Sequence, residues 1–510
     1  MRRSARTTQS EDSIVQENKL NVVIPPAPYQ FSQLFIGGQW RSGQSSVLQN
    51  HNPFNGDLLA EFAQASTRDV DDAFAAAITG QAMWANALPS ERTAVLRRAV
   101  DIMDLRQAEI VDWLIRESGS VRLKAQFEWA AVRAMFLEAM ALPSLQAGKI
   151  LSGDIPDKEH RIYRKPVGVV TVISPWNWPM HLSTRAVAPA LALGNAVVLK
   201  PAAETPVTGG LLLARIFEEA GLPAGVLSVL FGDNQEIGDY LVLHPASRVI
   251  SFTGSSGVGK RIGSLAVTGT TLKHVGLEMG GNNPLIVLDD ADLDQAVRAA
   301  VVGRFLHQGQ ICVSTNRIIV DKQLYPRFVD QFVERVSTLK YGDPMDPQTI
   351  IGPLIGQKHL DRLQGVIEAA IADGARRRLG AKAEGLVLPP QVFDQVSSTA
   401  RLGRDEIFGP VAPIIMARNE TDALALANDT EFGLSSAVFT EDTARGLRFA
   451  QKIEAGMTHI NDMTAVDLAN MPFGGTKNSG SGRFGAEGVI EQFTTEHWIS
   501  VQTSPRQYPF

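Results

Sequence analysis

The segment Arg248-Val249-Ile250-Ser251-Phe252-Thr253-Gly254-Ser255-Ser256-Gly257-Val258-Gly259-Lys260 decides how the chain is read. Residues 248–252 have the length and apolar character of a buried strand, 253–255 those of a turn, and Gly257 opens a helix. Glycines at such a junction let backbone N–H groups close on a phosphate at the positive end of a helix. The spacing is not G-x-G-x-x-G. Gly254 to Lys260 matches the first seven positions of an ATPase phosphate loop, but Arg261 stands where a Ser or Thr must hold Mg²⁺. The ATPase reading fails there.

Outward from this segment, short apolar runs alternate with helix-like stretches. The runs at 167–173, 196–199, 226–230 and 285–287 are of strand length, and 208–220 and 257–265 carry helical spacing. Such alternation predicts parallel sheets covered by helices, an α/β fold. A second alternating series extends from 310 to about 458. Upstream, a strand at 34–36 meets a Gly37-Gly38 turn, and Val70, Ala73, Phe74 and Ala77 recur on one helical face. Ser90 is placed to cap a helix over 91–117 that stops near Gly119, and another helix is expected over about 123–142.

At 510 residues the chain exceeds one ordinary core, so two or more domains are expected. The net charge of −6 is spread without a basic stripe or acidic tail, which argues against nucleic acid or a membrane surface as partner. No run approaches the 18 or so apolar residues of a spanning helix. One cysteine excludes an internal disulfide framework. Residues 1–30 lack apolar periodicity and end in Pro25-Pro26-Ala27-Pro28, so a mobile extension is expected and no secretory signal; the cytoplasm is the default location.

Gly309-Gln310-Ile311-Cys312 falls between a helix-like segment at 293–307 and a strand at 317–320. A thiolate is a strong nucleophile toward a carbonyl, although a lone cysteine is more often a small buried apolar residue. Leu277-Glu278-Met279-Gly280-Gly281-Asn282-Asn283-Pro284 sets a carboxylate among apolar neighbours. Partial desolvation would raise its pKa and suit it to general-base work. Ser174-Pro175-Trp176-Asn177-Trp178-Pro179 follows the strand at 167–173, where the Asn177 amide is placed to donate to a developing oxyanion. Lys200 ends another strand and would meet ribose hydroxyls or phosphate, or lie simply at the surface. Glu406-Ile407-Phe408-Gly409-Pro410 and 471–477 read alone as glycine-rich loops. Nine scattered histidines give no metal-ligand spacing, so no metal site is expected.

Together these motifs resemble the aldehyde dehydrogenase superfamily, in order and in separation, from about Phe35 to Gln502. Glu278 and Cys312 stand 34 positions apart, as in that family, and are joined by Pro-Trp-Asn, Phe-Thr-Gly-Ser and Glu-Ile-Phe-Gly-Pro. The resemblance implies a Rossmann-type cofactor domain (31–147 and 166–276), an α/β catalytic domain (277–485) and a β-rich oligomerisation arm (148–165 and 486–510). It implies that Cys312 attacks the aldehyde, that Asn177 and the Cys312 N–H hold the oxyanion, and that Glu278 activates the water that hydrolyses a thioester. Lys200, Gly254, Ser255, Trp176, Glu406 and Phe408 would contact the cofactor. A homodimer or homotetramer is the implied assembly.

Two departures stand out. The family's NAD-preferring members often carry Glu three residues after the cofactor lysine; here Ala203 occupies that position and Glu204 follows. NAD is expected, with no arginine obviously placed for a 2′-phosphate, and NADP stays open. Asn282 replaces a common lysine. The implied substrate pocket comprises Trp178, Arg185, Ile311, Val313 and Phe473, with 464–468 at its mouth. Stretches 180–188 and 458–485 look most like the benzaldehyde and vanillin dehydrogenase branch, so an aromatic aldehyde is expected, sandwiched by Trp178 and Phe473. The alternatives are an aliphatic aldehyde or semialdehyde, a CoA-acylating reaction (disfavoured by Glu278) and a non-catalytic relative. Arg185 and Asp467 are left to recognise a ring substituent or to be solvated at the entrance.

Overall fold

The computed structural model describes residues 27–510. Five parallel strands form the centre of an eight-stranded sheet, in the order Leu227–Val229, Ala196–Lys200, Val169–Ile173, Ser247–Thr253 and His274–Glu278. Leu34–Ile36 and Gly480–Ser481 flank them antiparallel. Strand order reverses between Val169–Ile173 and Ser247–Thr253: one continues leftward to 196–200, the other rightward to 274–278. Diverging connections leave a crevice at the carboxyl ends of two such strands, the usual ligand site of an open α/β sheet. Here those ends carry Ser174–Trp178 and Gly254-Ser255.

A seven-stranded sheet runs Arg376–Leu379, Gln391–Asp394, Val411–Ala417, Arg317–Asp321, Pro284–Val287, Ala437–Phe439, His459–Ile460, and only its first strand is antiparallel. Its apolar runs are buried on both faces, as helix-covered parallel strands must be. His274–Glu278 spans the boundary expected at 276/277. Lys149–Leu151, Lys158–Pro166 and Thr494–Gln502 form a separate antiparallel sheet with Trp498 exposed on it. No helix among the described residues is long and apolar enough to cross a membrane.

Some sequence expectations need correction. The helix expected over 91–117 is two, Pro89–Leu105 and Gln107–Ser118. Ser90 does not cap it: Pro89 sets the start and the Glu91 carboxylate accepts the Leu88 N–H. The break falls at Arg106, whose guanidinium pairs with Glu109 and lies 3.6 Å over the Tyr29 ring. Tyr29 is thereby pinned, so the expected mobile extension does not reach residue 30; its residues 1–26 lie outside those described. The helix expected over 293–307 ends at Phe305.

Candidate active site

Helix Leu293–Phe305 gives way to an unusual bend in which His307, Gln308 and Gly309 all have positive φ (49°, 56°, 70°). For the two non-glycine residues this backbone costs of order 1–3 kcal/mol each. Buried bonds hold it: Gln308 Nε2 donates to Pro353 O at 2.8 Å, and Arg304 donates to Thr315 O at 2.9 Å. The bend delivers Cys312 to a half-buried position ahead of strand Arg317–Asp321. Asn283 Nδ2 ties Cys312 O (2.7 Å) and Ser314 O (2.9 Å) to the turn after Glu278. The two motifs that look independent in sequence are thus stitched together. Asn282, the family departure, is buried and bonds Asn316 and Arg404 O, a supporting position for the same loops.

Asn177 is buried, and its amide donates to Gln310 O at 2.9 Å, two residues before the cysteine. Its own carbonyl accepts from Lys124 Nζ at 2.9 Å. Lys124 is fully buried and ion-paired to Glu128, whose other oxygen accepts the N–H groups of Met180 and His181 at the start of helix Pro179–Ala192. A carboxylate at a helix N-terminus is well placed by both hydrogen bonding and the dipole. The 122–139 helix therefore fixes the asparagine loop, a role no local motif announces.

Glu278 ends its strand with the Oε2 atom 2.8 Å from Arg185 Nη2 and the Oε1 atom without a partner among the described residues. Burial pushes its carboxyl up to about 7, against the lowering pull of Arg185. Burial, then the nearby Glu278, drives the Cys312 thiol well above its ordinary value. A neutral thiol and a carboxyl poised near neutrality line one cleft, an arrangement chemically suited to proton transfer between them.

Two openings meet at these residues. A cleft of about 320 Å³ is lined by Trp176, Asn177, Thr253, Gly254, Ser255, Glu278, Cys312 and, from the other sheet, His359, Arg362, Glu406 and Phe408. A cavity of about 270 Å³ is lined by Trp178, Arg185, Ile311, Cys312, Val313 and Phe473, with Phe127, His181, Leu306 and Met463. Only Asn177, Leu182 and Cys312 belong to both. All five pocket residues expected from sequence line the second, and five of the six expected cofactor residues line the first. Lys200 does not: it is buried at the end of the neighbouring strand, donating to Asn234 Oδ1 at 2.8 Å, and burial lowers it to about 8. The residues missed include His359, Arg362, Phe127, His181, Leu182, Leu306 and Met463, which carry no motif; only helical phase could have placed Phe127 on the face of Lys124.

The cleft suits a dinucleotide. A Cβ on Gly254 would stand 2.5 Å from Phe252 Cζ, so only glycine fits that approach. Ser255 precedes helix Ser256–Thr268 without capping it, and the space above Gly257 is open. First-turn N–H groups there are free for a diphosphate. Trp176 meets Phe408 edge-on at 5.6 Å, Phe408 has φ 49°, and burial raises the Glu406 carboxyl to about 7 while it accepts the Gly281 N–H at 3.0 Å. Of the two alternatives left open for Arg185, solvation at the entrance is excluded: it is 4% exposed and held by the carboxylates of buried Glu278 and part-buried Asp467.

Comparison with known proteins agrees with this arrangement. Residues 40–499 match the aldehyde dehydrogenase family. The chain is 48% identical to a vanillin dehydrogenase of Corynebacterium glutamicum over 92% of its own length and 97% of that protein. The structure of an NAD-dependent benzaldehyde dehydrogenase from C. glutamicum superimposes with TM-score 0.87 at 46% identity, covering 94% of this chain and 98% of that one. A salicylaldehyde dehydrogenase from Pseudomonas putida G7, solved with salicylaldehyde, gives 0.91 at 38% identity over 94% and 99%. On the site and on these matches, the chain belongs to the aldehyde dehydrogenase family.

Proposed function

We propose that the protein oxidises aromatic aldehydes to carboxylic acids with NAD, through a thioester on Cys312. The observation that carries the reading is the meeting of a dinucleotide-shaped cleft and an apolar cavity at Cys312 and Asn177 alone, apart from Leu182. Trp178, Phe127, Ile311, Val313 and Phe473 make walls suited to a planar ring. The names of the most similar curated proteins, vanillin, benzaldehyde and salicylaldehyde dehydrogenases among them, support the substrate class.

The aldehyde carbon is attacked by Cys312 Sγ as the thiol proton passes to Glu278. The C–S bond forms, the carbonyl π pair moves to oxygen, and that oxyanion is held by the Asn177 amide and the Cys312 N–H, which among the described residues donates to nothing else. NAD, bound in the cleft, supplies a hydride acceptor. Collapse of the oxyanion leaves the acyl group on sulfur. Once the thiol proton has passed from Glu278 to solvent, the freed carboxylate takes a proton from water, whose oxygen attacks the thioester. The C–S bond breaks, the acid leaves, and the departing thiolate is reprotonated from Glu278. With a base pKa of about 7, hydrolysis rises as pH climbs through neutrality and levels off above it.

Asn177→Ala is expected to lower kcat by about 10²–10³-fold, roughly 3 kcal/mol of oxyanion stabilisation, with a smaller change in KM. Steady-state kinetics check this. The substrate reading is tested by reduced-cofactor absorbance with benzaldehyde, vanillin and hexanal against NAD and NADP. Higher kcat/KM for the ring aldehydes with NAD is expected; preference for hexanal discards the aromatic pocket. The sheet of Lys149–Leu151, Lys158–Pro166 and Thr494–Gln502, with Ile150 exposed on one edge strand and Trp498 on the other, supports a homodimer or homotetramer, which light scattering checks.

A further inference from the structure

The chemistry above gives no role to a chain of buried charged groups behind the base. His181 and Arg185 lie four residues apart on helix Pro179–Ala192 and so share a face. Both reach one atom, Asp467 Oδ2: His181 Nε2 at 2.9 Å and Arg185 Nη1 at 3.3 Å. The other arm of the guanidinium reaches Glu278 Oε2 at 2.8 Å. The rings of Phe473 and Phe484 lie against it, with centroids 4.5 and 4.4 Å from Cζ. A guanidinium shared by two carboxylates and packed on two rings is not free to turn toward a substrate.

The geometry points to Arg185 as a positioning residue for the base, holding one carboxylate oxygen of Glu278 while leaving the other free for water, with Asp467 and His181 dividing its charge. The inference rests on Glu278 being the base of hydrolysis. Glu278 Oε1 is buried and, among the described residues, unpartnered, whereas Oε2 is anchored, so the proton-accepting oxygen is defined by which one Arg185 takes. Asp467 sets how much of that cation Glu278 feels. His181 in turn fixes Asp467, and the N–H of His181 is itself fixed by Glu128. The charged or titratable groups facing Glu278 are Arg185, Asp467, Arg483, Cys312 and Glu406. Arg185 and Asp467 act on it with opposite sign: the cation favours its ionised form, the second carboxylate opposes it.

That opposition provides the test. The pH profile of kcat is measured with benzaldehyde and NAD in the intact enzyme, alongside KM. Arg185→Met should move the acid limb to higher pH by at least about one unit, since a base without its cation ionises later. Asp467→Asn, nearly isosteric, should move it to lower pH, since Arg185 then serves Glu278 alone. Arg185→Lys should restore most of the first shift. KM for benzaldehyde should change much less than kcat. If both variants lose activity with the limb unmoved, the residues are merely structural and the inference fails. A large rise in KM with the limb unmoved would make Arg185 a substrate contact and overturn it equally. Glu278→Gln separates the levels: a limb that persists there means Glu278 is not the base. A limb that vanishes there, yet stays put in Arg185→Met and Asp467→Asn, leaves the base in place and removes only its positioning.

Discussion

Replacing Cys312 by alanine is expected to abolish aldehyde oxidation, lowering turnover by at least about 10⁴-fold, while the protein still folds and binds cofactor. The thiol is the chain's only one, so no neighbouring cysteine can substitute. Removing it deletes covalent catalysis outright, and the oxyanion donors and base then have no tetrahedral adduct to serve. Little stability should be lost. The side chain is half-buried at the junction of two openings, and the truncation removes a single sulfur. The loop itself is held by bonds from Asn283, Arg304 and Gln308 that do not involve Sγ. Thermal unfolding and quenching of protein fluorescence by NAD check that the fold and the cleft survive. Residual turnover within tenfold of wild type would remove Cys312 from the chemistry.

Glu278→Gln should produce a different defect. The amide keeps the size of the side chain and accepts poorly from water, so hydrolysis should slow by about 10²–10⁴-fold. The acyl group then accumulates on sulfur. The progress curve should show a burst of one reduced cofactor per site followed by a slow steady phase. The burst itself should be slower than in wild type, because the Cys312 thiol is held protonated by burial and loses its acceptor. A high pH should recover part of the burst rate, since hydroxide can deprotonate the thiol, and little of the steady rate. An unchanged steady rate would show that another group activates the water.

Much of this site could be read in the sequence because its parts sit at strand ends. Strand Val169–Ile173 stops at Pro175-Trp176-Asn177, Ser247–Thr253 stops at Gly254, and His274–Glu278 ends on the proposed base. An apolar run followed by a turn marks such a place without any structure. The α/β alternation was legible for the same reason: strands buried on both faces are continuous apolar runs. What pulls the loops together was not legible. Lys124, Glu128 and Phe127 come from a helix some fifty residues before Asn177, and their spacing reads as an ordinary amphipathic surface. Asn283 and Arg304 look like turn and helix-end residues until their partners are known. Arg185 was placed in the pocket, but its commitment to Glu278 depends on Asp467, 282 residues away. Helix ends were also blurred: Ser90 has the right chemistry for a cap, yet Pro89 fixes the first turn one residue earlier. The left-handed pair His307-Gln308 has little sequence signal: histidine adopts that backbone more often than most residues, but glutamine does not, and two in succession are not announced by either.

The most direct test of the account is to catch the acyl enzyme. Glu278→Gln protein is mixed with benzaldehyde and NAD, quenched in acid once the burst is complete, digested, and its peptides weighed by mass spectrometry. The account predicts one benzoyl group on the Cys312 peptide for each reduced cofactor formed, and none when NAD is omitted. Reduced cofactor formed in stoichiometric amount over an unmodified Cys312, or a benzoyl group carried on any other residue, would contradict it.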